Sequence, residues 1–287
     1  MADPLLSVIV LTRDEEANLS FLLDSLRSLS ANVIIVDSGS SDRTMALARE
    51  AGCAVYEHPW TDHATQFNWA LDNLPIGTPW IMRMDADERF TPELARELPM
   101  LLSSLPERVS GVLVKRQVWF WGRWIRHGGY YPTLLLRIWR TGQGRLERRL
   151  QDAHVVIETG ELAHARHDII DENHKNLSFW IAKHNYYADR EVIDFITAQN
   201  AHEPAAQRHL FRQAGRRRWA KQHIYYRLPM FFRAFLYWFY RYIVLGGFLD
   251  GRAGLVFHFL QGFWYRFLVD AKIYEFQVRR TRVPDRS

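Results

Sequence analysis

The residues best suited to chemistry in this chain are acidic and clustered. Asp85-Ala86-Asp87, with Glu88 after it, closes the hydrophobic run at 80–84. Two carboxylates at i and i+2 leave a strand end pointing the same way, so both can face one divalent cation or one ribose and metal pair. Hard oxygen ligands suit Mg²⁺ or Mn²⁺, which keep waters and bind substrate phosphates. Alone, Asp-x-Asp also describes a solvated acidic turn. Two further clusters bear on the choice: Thr12-Arg13-Asp14-Glu15-Glu16 after the run at 6–11, and Asp37-Ser38-Gly39-Ser40-Ser41-Asp42-Arg43-Thr44 after the run at 33–36. Asp37 ends its run where an exposed carboxylate can accept from a base N–H, and Gly39 with the serines permits a tight turn. Asp42 is placed to cap a helix beginning at Thr44. Acidic clusters at successive run ends are what separate surface turns do not explain.

The elements that position these clusters follow from hydrophobic pattern. Short β-branched runs at 6–11, 33–36, 54–56 and 80–84 read as strands, and apolar residues at helical spacing mark helices at 18–28, 45–51 and 65–74. Strand–helix alternation implies an α/β fold with a largely parallel sheet and right-handed crossovers. Ligands of such sheets bind beyond the carboxyl ends of the strands, where the clusters lie. The second half changes character. Strands are expected at 112–118 and 133–139 around the turn-rich Arg126-His-Gly-Gly-Tyr-Tyr-Pro132, and helices after about Asp171.

Taken together, Ser7-Val-Ile-Val-Leu-Thr12 with Glu15, Val36-Asp37-Ser-Gly-Ser-Ser-Asp42-Arg-Thr44, Gln66-Phe-Asn68-Trp-Ala70 and Met84-Asp-Ala-Asp-Glu88 resemble the inverting, GT-A-fold glycosyltransferases of family 2. The likeness is greatest to bacterial enzymes that extend lipopolysaccharide core or polysaccharide repeat units. It continues more loosely through Trp121-Gly-Arg-Trp-Ile-Arg126-His-Gly-Gly-Tyr130 and Leu150-Gln-Asp152-Ala-His154. The resemblance implies a nucleotide-sugar donor, UDP-linked, and a Mg²⁺ or Mn²⁺ cofactor. It places Thr12, Glu15 and Asp37 around base and ribose, Asp85 at the ribose or metal, and Asp87 on the metal at the diphosphate. Acceptor contacts fall on Arg126 and Tyr130, and Arg126 with Arg137 would neutralise the diphosphate of a lipid-linked acceptor.

Two departures matter. Asp14 stands where the common motif has Asn, and Ala153 where relatives often carry Glu. An inverting transfer needs a general base for the acceptor hydroxyl proton. Asp152 is the nearest carboxylate and takes that role, with Glu147 and Glu158 as alternatives. Histidines 154, 164, 167, 174 and 184 offer one candidate to complete a donor metal's coordination, but His164-x-x-His167 is no zinc motif. Trp119, Trp121 and Trp124 read as packing.

Composition bounds the rest. The 287 residues are 48% hydrophobic, which excludes wholesale disorder, and the single Cys53 excludes a disulfide framework or a multi-cysteine metal site. The amino terminus lacks a basic region, so no secretory signal is expected. The net charge of +5 is modest but unevenly spread: residues 205–247 hold nine Lys or Arg and no Asp or Glu. Residues 219–248 are rich in Trp, Tyr and Phe. The longest stretch without an Asp, Glu, Lys or Arg is 13 residues, at 253–265, too short for a simple span of about 20 residues. This pattern reads as helices lying at an anionic membrane surface, with a helical hairpin buried on the catalytic domain or in a homodimer as the alternative. Nucleic acid is set aside because no binding motif accompanies the arginines.

The expectation is therefore a catalytic domain over 1–215 and a helical, membrane-associating segment over 216–287. The protein would be peripheral on the cytoplasmic face of the inner membrane and would transfer sugar to a lipid-linked, lipopolysaccharide or polysaccharide acceptor. Two other classes fit parts of the pattern. A sugar nucleotidyltransferase would show a glycine-rich phosphate loop with Lys or Arg near the first strand, which is absent. A non-catalytic carbohydrate-binding or scaffold protein is consistent with Ala153.

Overall fold

Strand β1 (Leu6–Thr12) is buried along its length and apolar except for Ser7 and Thr12, because both faces of its sheet are covered. Val8 and Val10 enter one core while Ile9, pointing the other way, enters a second. The same alternation divides Ile35 from Ile34 and Val36 in β2 (Ala31–Asp37), and Met82 from Ile81 in β4 (Trp80–Asp85). The structure is a computed structural model that describes residues 3–147, 154–200, 223 and 225–282.

By contacts the chain forms two compact units. The first comprises Met1–Trp124 and Tyr131–Lys175. Its sheet runs β3 (Ala54–Glu57), β2, β1, β4, then β8 (Thr133–Arg140), β6 (Val109–Phe120), β11 (Glu161–Glu172) and β5 (Glu88–Phe90), with the short β7 (Arg123–Ile125) beside β6. The first four strands are parallel, whereas β8 is antiparallel to both β4 and β6. Register sets Thr12 beside Asp37 and Leu11 beside Asp85, so three strand ends open on one edge.

Helices α1 (Glu16–Leu26), α2 (Thr44–Glu50) and α4 (Pro92–Ser104) cover one face through Leu19, Leu22, Ala48, Leu94 and Leu98. Helix α3 (His63–Asn73) covers the other with Ala64, Phe67 and Ala70, against the hairpin β9 (Gly144–Leu146) and β10 (Val155–Ile157). Asp62 caps α3 by accepting from Thr65 N, and Thr91 caps α4 by accepting from Leu94 N. The expected α/β layout is present, with β5, α4, the β9–β10 hairpin and β11 in addition.

The second unit comprises Ile125–Tyr130 and residues from Asn176 onward. Helix α5 (Leu177–Asn200) packs Ala188 and Val192 against Tyr265, Val269 and Ile273 of α8 (Tyr265–Arg282). Between them come α6 (Phe232–Phe239), a π-helical turn Tyr240–Val244, a 3₁₀ turn Gly247–Asp250, α7 (Gly251–Phe257) and a longer π-helical segment His258–Trp264. The described contacts thus divide the chain after Lys175, whereas the expected junction at 215 lies outside the described residues. Among the described residues no single helix is long and apolar enough to cross a membrane.

Candidate active site

Asp37 closes β2 and is fully buried. Its Oδ1 accepts from Gly39 N at 2.9 Å and Ser40 N at 2.7 Å; its Oδ2 accepts from Thr12 Oγ1 at 2.8 Å and Ser40 Oγ at 2.6 Å. A carboxylate offers about four lone-pair sites, and all four are taken. Asp37 is thus buried where an exposed side chain was expected: it folds its own turn and ties it to Thr12, itself buried. Gly39, at φ +85°, supplies the left-handed step that brings both amides to Asp37.

The loops after β1 and β2 are laced together. Asp14 N donates to Ser40 Oγ at 2.8 Å and Ser41 N to Asp14 Oδ1 at 2.7 Å. Glu15 N donates to Thr44 Oγ1 at 2.7 Å, and Arg43 N to Glu16 Oε2 at 3.0 Å. Asp42 accepts from Thr44 N at 2.9 Å, while the cap position of α2 falls on Arg43 rather than on Asp42.

Glu15 turns toward the end of β11. Its Oε1 accepts from Lys175 Nζ at 2.8 Å and its Oε2 from Asn18 Nδ2 at 2.6 Å. Burial raises its pKa above the usual carboxylate range despite the opposing pull of Lys175, and the Asp87 charge adds to the rise. Asp87 in turn accepts from Asn173 Nδ2 at 2.9 Å, and its carbonyl accepts from Glu172 N at 2.9 Å. Glu15, Asp87, Asn173 and Lys175 thus belong to one polar group. Asn173 and Lys175 escaped the sequence reading because they follow β11, whose polar sequence did not read as a strand.

Asp85 takes different partners. Arg137 Nη2 donates to it at 3.0 Å, Arg83 at 3.3 Å, and His63 Nε2 lies at 3.7 Å. Burial opposes its charge, but Arg83 and Arg137 outweigh that and hold the carboxyl well below its usual range. Glu88 shares Arg137 and accepts from Asp85 N at 3.0 Å; burial pushes its pKa up to about 8 against the attraction of Arg137. His63 is lowered by burial and by Arg83. Asp85 thus closes β4 committed to two arginines, while Asp87, two residues on, pairs with Asn173.

Arg137 is buried in unit one between Asp85 and Glu88, while Arg126 belongs to unit two. Arg126 N and His127 N both donate to Asp250, at 3.3 and 3.0 Å, and His127 Nδ1 lies 2.6 Å from the same carboxylate. The Tyr130 ring lies under the Arg241 guanidinium at 3.7 Å and meets Phe257 edge-on.

Asp152 lies outside the described residues. Of the alternatives, Glu147 accepts from His154 N at 3.1 Å and faces its Nδ1 at 3.1 Å, while Glu158 is exposed. Among the described residues no three His, Cys, Asp or Glu side chains form a metal cage, so no histidine joins Asp85 and Asp87 in one. Mg²⁺ and Mn²⁺ need no such cage when they share a diphosphate, because one or two carboxylates suffice. The donor set of Asp85 and Asp87 fits a cation of that kind.

The family model described as Glycosyl transferase family 2 matches residues 7–173. A Rhizobium meliloti (strain 1021) protein, the lipopolysaccharide core biosynthesis glycosyltransferase LpsC, is 31% identical, across 96% of this chain and 94% of its own. An uncharacterized glycosyltransferase of Rickettsia felis is 32% identical over 99 residues, 34% of each chain. Among solved structures, S. aureus TarS 1-349 superposes with a TM-score of 0.50 at 12% identity, covering 94% of this chain and 91% of that one, a likeness of fold alone.

Proposed function

We propose that this chain, which belongs to glycosyl transferase family 2, is an inverting enzyme that moves a hexosyl group from a UDP-linked donor to a lipid-linked or lipopolysaccharide-type acceptor. The carrying observation is the gathering of Thr12, Asp37 and Asp85 on adjacent strand ends, with Glu15, Asp87 and Lys175 in the loops beyond. The acceptor class is supported by the full-length likeness to a protein named for lipopolysaccharide core biosynthesis.

In this reading the Thr12–Asp37 turn and Glu15 shape the pocket for base and ribose. Asp87, with Asp85 beside it, would hold a divalent cation on the donor diphosphate. When bound, Mg²⁺ or Mn²⁺ supplies charge neutralisation of the departing nucleoside diphosphate. Lys175, paired with Glu15, adds a positive charge near the same carboxylates. Asp152 would take the proton of the attacking acceptor hydroxyl, so that a single displacement inverts the anomeric centre. Arg126 and Tyr130 would meet the acceptor on a loop whose backbone Asp250 holds. The acid-free basic stretch over 205–247 and the aromatic residues that accompany it support a position on anionic lipid, which we assign to the cytoplasmic face of the inner membrane.

The test is release of UDP from UDP-sugars by the purified chain with Mn²⁺ and lipid-linked or lipopolysaccharide acceptors. Turnover should vanish with chelator and in Asp87→Ala while thermal stability holds. Asp152→Asn should slow transfer by roughly 10²-fold or more. Diphosphate release from nucleoside triphosphates would favour a nucleotidyltransferase. Donor binding without turnover on any acceptor would favour a scaffold.

A further inference from the structure

Unit two buries several of its charges. Arg233 and Asp270 are buried against each other, with Nε to Oδ1 at 2.9 Å. Buried Glu191 receives the Tyr265 hydroxyl at 2.8 Å and Arg266 Nη1 at 2.9 Å. Large apolar side chains are exposed instead, and they concentrate at one bend. The helical runs Phe232–Val244 and Gly247–Arg279 meet at 69°. At that bend Ile243, Val244, Leu245, Phe248 and Leu249 are all exposed, Val244 at 60% and Leu249 at 55%.

The charges nearest the bend, Arg241 and Asp250, point away from it, and the next one, Arg252, is exposed at headgroup reach. Arg241 Nε donates to Gly128 O at 2.6 Å, and Asp250, 2% exposed, accepts from the amides of Arg126 and His127. The backbone of the bend is also satisfied from within. Leu245 N donates to Tyr240 O at 2.9 Å, Leu249 N to Gly246 O at 2.9 Å, and Leu245 O accepts from Gly128 N at 3.0 Å. Gly246, at φ +71°, permits the turn. Apolar side chains outward, charges inward and internally paired backbone are what hydrocarbon demands of a segment that enters it. Neither run is long and apolar enough to cross alone. Positive charge leads up to the bend without an intervening acid from residue 205, complementary to anionic headgroups.

We infer that residues 243–249 form a re-entrant apolar wedge that enters the acyl layer of one leaflet and returns. This rests on the membrane reading above and specifies its anchor as penetration by the wedge, with surface attraction by the arginines secondary.

The experiment is flotation of the full chain with phosphatidylcholine vesicles and with vesicles containing phosphatidylglycerol, at 0.1 M and 1 M salt. The variants are Val244→Asp/Leu249→Asp and, as a control at an exposed apolar site in unit one, Met100→Asp. The wedge predicts that wild type and Met100→Asp stay bound to neutral vesicles at 1 M salt, where charge attraction is screened to about 3 Å. The double variant should keep its fold by circular dichroism and bind at least about tenfold more weakly. Wild-type binding that salt abolishes, or that the double variant retains, overturns the wedge and leaves the membrane reading standing. No wild-type binding to either vesicle overturns both. A wild-type dimer that the double variant converts to monomer, without vesicle binding, would assign the bend to a second copy and overturn the wedge.

Discussion

Asp37 shows how a single carboxylate can organise a turn. Its four donors are two backbone amides and two hydroxyls. An asparagine can accept from the amides through its oxygen while its NH₂ donates to the hydroxyls, which can reverse their roles. Asp37→Asn should therefore fold within about 1 kcal/mol of wild type, whereas Asp37→Ala strands buried donors and should cost roughly 2–4 kcal/mol. Urea unfolding of the two variants checks this; equal losses would mean that the charge, not the bonding pattern, holds the turn. Arg137 poses the complementary case, a buried cation shared by Asp85 and Glu88. Arg137→Met should destabilise by about 3–5 kcal/mol, because Glu88 loses its arginine and Asp85 keeps only Arg83. Glu88→Gln added to it should recover part of that loss, since Glu88 is already inclined to neutrality by burial. A double-mutant cycle in denaturant reads the coupling directly.

The elements differ in how plainly their sequences announce them. β1, β2 and β4 carry continuous β-branched or apolar runs because both faces are buried, and they are legible from residue type alone. β11 is not: Glu161-Leu-Ala-His-Ala-Arg-His-Asp places charged residues along much of a strand whose register slips between His164 and Asp168. Its polar side chains are explained by tertiary partners, such as Asp168 receiving Tyr131 and Gln117, which local pattern cannot reveal. That is why Asn173 and Lys175 were missed while Glu15 and Asp87 were found. The same distinction applies to Arg137, whose type suggested a ligand contact and whose partners lie on β4 and β5. Helix α5 adds a pH dependence. His184 stacks on Trp180 at 3.4 Å, and burial pushes its pKa down to about 4. The unfolded chain holds a proton on that ring below about 6.5, while the folded unit resists it down to about 4. Its stabilisation is therefore present above pH 6.5 and lost as pH falls toward 4. Melting temperature should drop between pH 7 and 5 more steeply in wild type than in His184→Gln; parallel curves would remove His184 as the cause.

For the whole molecule, the route of the chain matters as much as its elements. The polypeptide leaves unit one after Trp124, gives Ile125–Tyr130 to unit two, and returns at Tyr131 before leaving again after Lys175. Inside unit two that excursion is held by Asp250, by Leu245 O and by Arg241. A chain ending at Lys175 would keep Glu15, Asp37, Asp85 and Asp87 but would lose every one of those holds. Limited trypsin digestion should then cut the truncated chain at Arg126 far faster than the intact one, while UDP with Mn²⁺ still protects the strand-end loops. Equal cleavage would show that those holds do not protect the excursion.

That threading also limits how such a protein can be recombined. Its carboxyl-terminal helices look like a detachable tail in the linear sequence, yet Ile125–Tyr130 is wound into them from far upstream. A graft that exchanged only the tail would join Asp250 and Arg241 of one parent to a loop selected for another. The loop and the helices form a single heritable piece in two fragments, and a working chimera has to inherit both from the same parent.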